Sequence, residues 1–447
     1  MKKKFFTNLI PALFIVGALF LQACNNSNAT NTQRTNSSAI PLLIERTAEF
    51  GSDEESDRIK TIYDNCLIAL KNNPQDYKSY LELATVFITE GRITGNIGYY
   101  NESAMQMLDH IIDAKQNNKQ FEFEALNYKA AVLLSMHQFQ QAYDVAKQAA
   151  QISNRNSGLM GAMVDAYVEL GKYDAAVKMC DSMINLKPDI RSYSRVSYLR
   201  QINGDNRGAI EAMTYAVGAG LPGAENTEWA RVTLGDLFMN IGALDTAELL
   251  YKESLTMRPG YVYAEMGLAK IEKAKKNYDA AIQHCENAIQ IISESSFITF
   301  MADCYLLKGD TEKAEEIYED VYKLLEQAEK EQNKEEAKVK HNGARELAMA
   351  HMKAGNLDEA LELAQIDLAM RPENIDANEL IAWVFYLKGD YTNAKMHADK
   401  MLATNVKNAN TLYKAGLIYT KSGDTAKGNE LMAEAKSIST YIDPLIQ

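Results

Sequence analysis

The chain has 447 residues, enough for about three ordinary domains or one long array. Lys and Arg number 47 against 60 Asp and Glu, a formal charge of −13 at pH 7; a surface that acidic repels phosphate backbones and argues against a nucleic-acid partner. With 47% hydrophobic residues, 24% charged residues and only 8 prolines, the composition excludes a mostly disordered chain and leans helical.

Residues 1–23 open with Lys2, Lys3 and Lys4 and continue into an apolar run, Leu9 to Leu21, that is too short to span a bilayer. This is the pattern of an export signal. It ends in Leu21-Gln22-Ala23-Cys24, which resembles a bacterial lipobox, although Gln22 stands where a small residue is usual. The resemblance implies cleavage before Cys24, lipidation of Cys24 and a lipid-anchored protein of a Gram-negative envelope. Loss of the three lysines takes the mature charge to −16. Residues 24–44 read as a flexible polar tether with Arg34 as its only charge. The lack of acidic residues just after Cys24 favours the periplasm-facing side of the outer membrane. The remaining cysteines, Cys66, Cys180, Cys285 and Cys304, show no CxxC spacing. Neither a zinc nor a thioredoxin-like motif follows, and Cys285 and Cys304, on neighbouring helices, are compatible with a disulfide or with two thiols.

From residue 45 onward a 34-residue period dominates: Ala142 to Ala176, Ala247 to Ala281, Ala360 to Ala394, Gly389 to Gly423. Small residues recur at position 8 (Ala84, Ala130, Ser197, Gly235, Ala269, Ala302, Ala348, Ala382, Gly416, with bulky Val164 the exception) and at position 20, where helices A and B must approach closely. Gly91, Gly171, Gly204, Gly242, Gly309, Gly355, Gly389 and Gly423 stand at position 15, which predicts a left-handed cap on helix A. Pro74, Pro188, Pro259 and Pro372 stop helix B at position 32. These positions resemble the tetratricopeptide repeat over residues 57–447. The resemblance implies an all-α, right-handed α-solenoid of about ten helix-turn-helix repeats, preceded by a lone helix B at about Asp57–Asn73. Stretches such as SYSRVSYLRQINGDNRGAIEAM are similar to a group of long bacterial repeat proteins to which no single activity attaches. The solenoid, residues 45–447, carries possible sub-blocks 57–222, 223–325 and 341–447. Three insertions break the period: Arg92–Tyr100, with Tyr99 and Tyr100 as loop candidates for binding; Gly218–Asn226; and the charged Glu326–Lys340, expected to add helix turns.

Motifs of chemistry are scarce. Gly218-Ala219-Gly220-Leu221-Pro222-Gly223 matches GxGxxG in letters but follows a helix and contains Pro222, so it reads as a connector. The six histidines (His110, His137, His284, His341, His351, His397) fall on different units, with no HExxH pair. No catalytic residue, metal or cofactor is expected, and the chain reads as non-enzymatic.

The resemblance implies recognition along a concave groove lined by helix A positions 2, 5, 9, 12 and 13. There stand Arg191, Arg195, Tyr198, Trp229, Asp236, Tyr263, Lys270 and Trp383, with both tryptophans of the chain among them. Arg and aromatic side chains dominate binding hot spots, which points to a protein or peptide partner in that groove. The same arginines could instead pair with Asp165, Glu169 or Asp236. The carboxylate clamp of some tetratricopeptide domains is not matched, because Asn127, Ala131 and Ala162 occupy its other positions. Two alternatives stay open: an envelope receptor for a small ligand or glycan, using Trp229, Trp383 and the tyrosine loop, and a hydrolase with an unrecognised carboxylate site.

Overall fold

The computed structural model describes residues 40–46, 50–115, 118–332 and 340–446; the export signal, Cys24 and most of the tether lie outside the described residues. Among the described residues there are 21 helices and no strand. Helix α1 (Asp53–Asn72) stands alone, four residues longer at its start than its sequence suggests, because Ser52 accepts a hydrogen bond from the Glu55 amide and caps it. Ten helix pairs follow. Unit 1 is α2 (Tyr77–Thr94) and α3 (Ile97–Asp113), unit 2 is α4 (Lys119–Ser135) and α5 (Phe139–Ile152), and unit 3 is α6 (Ser157–Glu169) and α7 (Tyr173–Leu186). Unit 4 is α8 (Ile190–Ile202) and α9 (Asn206–Gly218), unit 5 is α10 (Glu225–Asn240) and α11 (Leu244–Met257), and unit 6 is α12 (Val262–Ala274) and α13 (Tyr278–Ile291). Unit 7 is α14 (Ser295–Lys308) and α15 (Thr311–Gln332), and unit 8 is α16 (Ala344–Lys353) and α17 (Leu357–Met370). Units 9 and 10 are α18 (Ile375–Leu387) with α19 (Tyr391–Met401), and α20 (Ala409–Lys421) with α21 (Thr425–Ile438).

Within a unit the small residues do what their spacing predicts. Ala269, Ala281, Ala302 and Ala314 are wholly buried where A meets B. Around Tyr251 the need is sharper: a Cβ on Gly235 or Gly267 would stand 2.5 Å from its ring. The Tyr251 hydroxyl, fully buried, donates to Asp236 Oδ1 at 2.8 Å.

Two readings of unit 1 need correction. The stretch Arg92–Tyr100 is not a long loop: α2 runs on through Gly91 to Thr94, and the left-handed cap falls on Gly95 (φ +73°). Tyr99 and Tyr100 therefore start helix α3, and Tyr100 is 1% exposed, a core residue rather than a loop ligand. Their hydroxyls hold the N-terminal strap. Tyr99 donates to the Leu42 carbonyl at 2.7 Å, and Tyr100 accepts from the Ile44 amide at 3.2 Å. Residues 40–44, read as the end of the tether, thus pack on the array, with Ile40 and Leu43 against the first core cluster. The Glu326–Lys340 stretch does extend a helix as far as Gln332, with Lys330 Nζ 3.1 Å from Glu326; Glu336 lies outside the described residues. Cys285 and Cys304 face each other as buried free thiols, and the contact with Cys304 together with burial pushes the Cys285 thiol far up.

The left-handed turns between A and B carry a second function that a single repeat does not reveal. In unit 2, the Met136 carbonyl accepts from the Asn342 amide at 3.0 Å, and Gln138 Nε2 donates to the Lys340 carbonyl at 2.7 Å. In unit 3, the last carbonyls of α6, Val168 and Glu169, accept from Asn374 Nδ2 at 3.3 and 3.2 Å, while the Tyr173 hydroxyl accepts from the Ile375 amide at 2.8 Å. In unit 4, Asn206 Nδ2 donates to the Lys407 carbonyl at 2.8 Å. Unit 1 places Gly95 on Ile292, and unit 5 places Gly242 on Ser439. Each turn therefore lies on the connector six units further along, so six units complete one superhelical turn and successive turns touch along a seam.

The glycines record it. A Cβ on Gly171 would lie 2.6 Å from the Glu373 backbone, and one on Gly204 would lie 2.5 Å from the Asn405 carbonyl oxygen. Around Gly309, Gly355, Gly389 and Gly423, which have no later turn above them, nothing stands within 4 Å. Two units lack the glycine, and His137 (φ +56°) and Lys276 (φ +64°) are forced into the same conformation.

Two outcomes follow. Gly389→Ala meets only left-handed strain, about 1–2 kcal/mol less the gain from a stiffer unfolded chain, whereas Gly171→Ala also collides with the next turn. Urea unfolding of both variants should show Gly171→Ala clearly the more destabilised, and equal losses would contradict the seam. Arg371 is 4% exposed and holds the buried Asp367 through two hydrogen bonds, at 2.7 and 2.9 Å, besides its bond to Glu169 across the seam. Arg371→Ala should cost about 3–5 kcal/mol, because it removes both hydrogen bonds of a buried carboxylate and leaves it only Arg345 at 3.7 Å; a loss within ~0.5 kcal/mol on the same assay would place the pair in water.

Candidate functional site

The groove residues proposed from the sequence stand on helix A of units 4, 5, 6 and 9, and most of their charges are already spent on one another. Arg195 grips Asp165 with Nε at 2.8 Å and Nη2 at 2.5 Å, and its third nitrogen donates to the Arg191 carbonyl at 3.0 Å. Arg191 turns back to its own helix cap, Asp189, at 3.2 Å. Lys270 Nζ meets Asp236 Oδ1 at 3.0 Å, and Asp236 also accepts the Tyr251 hydroxyl. The neutralising reading of Arg195 and Asp236 is thus the one the geometry displays. Tyr263 is packed edge-on between Tyr261 and Phe297, at 5.4 and 5.8 Å between ring centres, and burial raises its hydroxyl to about 12.

The aromatics are placed differently. Trp229 is 41% exposed and Tyr198 38% exposed, against 1% for Tyr100. Surrounding protein nevertheless pushes the Tyr198 hydroxyl well above its ordinary value, and Asp376 and Glu169 push the same way. Trp383 stacks on Tyr386 at 4.7 Å, with Lys414 Nζ 5.6 Å from its ring centre.

Two cavities lie along the seam. One, of about 300 Å³, is lined by Asp165, Glu169, Arg345, Glu346, Arg371 and Asp376, among others. Burial pushes the Glu169 and Asp376 carboxyls above the usual range, with Arg371 and Arg345 respectively opposing it. Two raised carboxyls in one cavity are what a hydrolase would need, but a buried ion-pair network perturbs carboxyls equally well. Here Asp165 is bound by Arg195, and Glu169 and Asp367 by Arg371. The second cavity, of about 270 Å³, is lined by Asp236, Lys270, Lys273, Phe300, Tyr441 and Asp443, among others. Lys273 is 1% exposed and reaches Asp443 Oδ2 at 2.9 Å; against the upward push of burial it holds that carboxyl below the usual range. Trp229, Trp383, Tyr99 and Tyr100 line neither cavity. Among the described residues, no helix is long and apolar enough to cross a membrane.

Sequence reasoning missed the seam residues. A signal for two of them was present: Arg258 and Arg371 each precede the proline that stops helix B. Both are buried and both reach a glutamate one superhelical turn earlier, Arg258 to Glu55 at 3.2 Å and Arg371 to Glu169. Asn342 and Asn374 gave no comparable signal.

Models of the tetratricopeptide repeat match residues 133–201, 232–296, 296–326 and 345–398. Among curated proteins, lipopolysaccharide assembly protein B of Escherichia coli, in strains K12 and O157:H7, is 24% identical over 222 residues. The match takes in 48% of this chain and 55% of that protein, so the chain spans about half the length of the curated relatives it matches. Among solved structures, a thermophilic tetratricopeptide-repeat protein of Thermus thermophilus aligns at 17% identity over 44% of this chain and 98% of its own, with a TM-score of 0.38. The human IFIT1 dimer with PPP-AAAA aligns at 14% identity over 85% and 88%, with a TM-score of 0.43. With its 34-residue spacing realised as ten stacked helix pairs and repeat models matched along units 2 to 9, this chain belongs to the tetratricopeptide-repeat proteins, whose fold is generally a non-catalytic scaffold for protein–protein interaction.

Proposed function

We propose that the protein is a non-enzymatic adaptor of a Gram-negative envelope, anchored through lipid on Cys24, that takes an extended segment of a partner protein along the concave face of its superhelical turn. The observation that carries the reading is the exposure of Trp229 and Tyr198 where neighbouring charges are internally paired. A large rigid aromatic left in water on a scaffold face offers binding area at little conformational cost. Arg191, Arg195, Asp236, Tyr263 and Lys270 stand on the first helices of units 4, 5 and 6 and Trp383 on that of unit 9, and we assign them to the same binding face. The resemblance of Leu21-Gln22-Ala23-Cys24 to a lipobox supports the anchor, and the partial likeness to a lipopolysaccharide assembly protein supports an envelope setting. The glycan-receptor alternative needs aromatics that converge, and Trp229, Trp383 and the Tyr99–Tyr100 pair belong to units 5, 9 and 1.

Anchor and groove are tested separately. Cys24→Ser should abolish incorporation of labelled palmitate and move the protein from the membrane to the soluble fraction; retention of label elsewhere would overturn the anchor. Photo-cross-linking from position 198 in intact cells should capture one discrete protein, and Trp229→Ala should weaken that complex by about 2 kcal/mol or more, roughly 30-fold, while leaving urea stability nearly unchanged. An undiminished complex in Trp229→Ala would move the binding face away from unit 5.

A further inference from the structure

The seam brings together three side chains that the sequence keeps far apart. His137 comes from the turn of unit 2, while His341 and Glu346 come from the connector and first turn of unit 8. One ring nitrogen of each histidine and a carboxylate oxygen of Glu346 lie within 4.8 Å of one another. The rings of His137 and His341 stand 4.7 Å apart, and His137 Nδ1 is 3.5 Å from Glu346 Oε1. We propose that His137, His341 and Glu346 bind one divalent transition-metal ion, zinc by ligand type, which fastens one superhelical turn to the next.

Three independent features of the place support this. First, Glu346 Oε2 is buried with no hydrogen-bond partner. A carboxylate oxygen removed from water and left unpaired is costly and needs an explanation, and a cation between the three groups supplies one. Second, the backbone around the trio is already tied down, by the Met136–Asn342 and Gln138–Lys340 hydrogen bonds. His137 Nδ1 also lies 3.2 Å from the Asn342 carbonyl. This contact fixes the orientation of the ring beside Glu346, as outer-shell partners commonly do for a ligating imidazole. Third, His137 occupies the strained left-handed position where units 3, 4 and 5 of the same seam use Gly171, Gly204 and Gly242. Non-glycine residues held in that conformation cluster where the side chain is needed.

Two imidazoles and one carboxylate are a familiar zinc ligand set, with water in the fourth place. Ligand bonds of ~2.0–2.1 Å put tetrahedral ligand atoms ~3.4 Å apart, so from 4.8 Å the trio must close by at most about 1.4 Å. The result is a staple between residues 137 and 341, in the same role that Arg371 and Glu169 play one unit further on.

The test uses the untagged chain, freed of metal with a chelator and titrated with Zn²⁺, and with Co²⁺ as a coloured probe. One ion per chain should bind, Co²⁺ should show visible absorption of a four-coordinate nitrogen–oxygen site, and Zn²⁺ should raise the thermal unfolding midpoint. His341→Ala, Glu346→Gln and His137→Gly should each weaken binding by at least about tenfold, while His284→Gln, in an unrelated unit, should not. His137→Gly is the decisive variant, since it removes a ligand while placing the residue that the backbone prefers. A folded His137→Gly chain that binds Zn²⁺ as tightly as the unaltered protein, or an unaltered protein that binds none, would overturn the site.

Discussion

The last carbonyls of an α-helix have no partner within the helix, and where a helix ends against other protein they must be bonded from outside. In units 2 and 3 that bond comes from the asparagine side chain or backbone of a connector about 205 residues away: Asn342 to Met136, Asn374 to Val168 and Glu169. Much of the architecture depends on this arrangement. It requires the A–B turn to be tight enough to lie flat under a second layer of chain, which the left-handed residue achieves. At 171 and 204 the layer above also leaves no room for a side chain, which glycine satisfies, whereas unit 2 admits the ring of His137 beside Asn342. Arg258 and Arg371 then complete the seam with charge, each stretched from the end of a helix B to a glutamate of the preceding turn.

A solenoid without such a seam is quasi-one-dimensional, each unit being stabilised by its neighbours alone. Here units 2, 3 and 4 also rest on the connectors into units 8, 9 and 10, so loosening one half exposes polar groups in the other. The buried ionic contacts Arg371–Glu169 and Lys273–Asp443 span 202 and 170 residues of sequence. Their removal from water is offset only while both turns stay in register. The seam therefore favours a fixed curvature over the springiness of an open array. A fixed curvature suits a surface meant to receive a partner without first rearranging.

The repeat was legible because its causes act within 34 residues. Small residues at positions 8 and 20, glycine at 15 and proline at 32 each answer a contact inside one helix pair, so one sequence displays them many times over. Even there the pattern erred where a local rule was overridden, as at Gly91, which stays helical while Gly95 caps the helix. The seam has a period of six units, and ten units contain less than two such periods, so no recurrence could build up. His137 and Lys276 stand at the same repeat position and share the same strained backbone, yet only His137 has a later turn beside it. Tyr100 misled for a related reason, since its partner, the Ile44 amide, belongs to a strap whose composition continues the polar tether.

The same contrast bears on the binding face proposed above. Charges that looked available from one helix, Arg195 and Lys270 among them, meet Asp165 and Asp236 on adjacent units and close their own circuits. A polar partner would have to break those pairs and bury their members, which returns little net free energy. An exposed indole makes no such demand. Trp229 keeps 41% of its surface exposed. A partner that covers it gains apolar burial at about 25 cal/mol per Å² without disturbing a single ion pair. On a face whose charges serve the scaffold itself, selectivity then falls to the shape of the aromatic ledge and to the fixed spacing of units that the seam imposes.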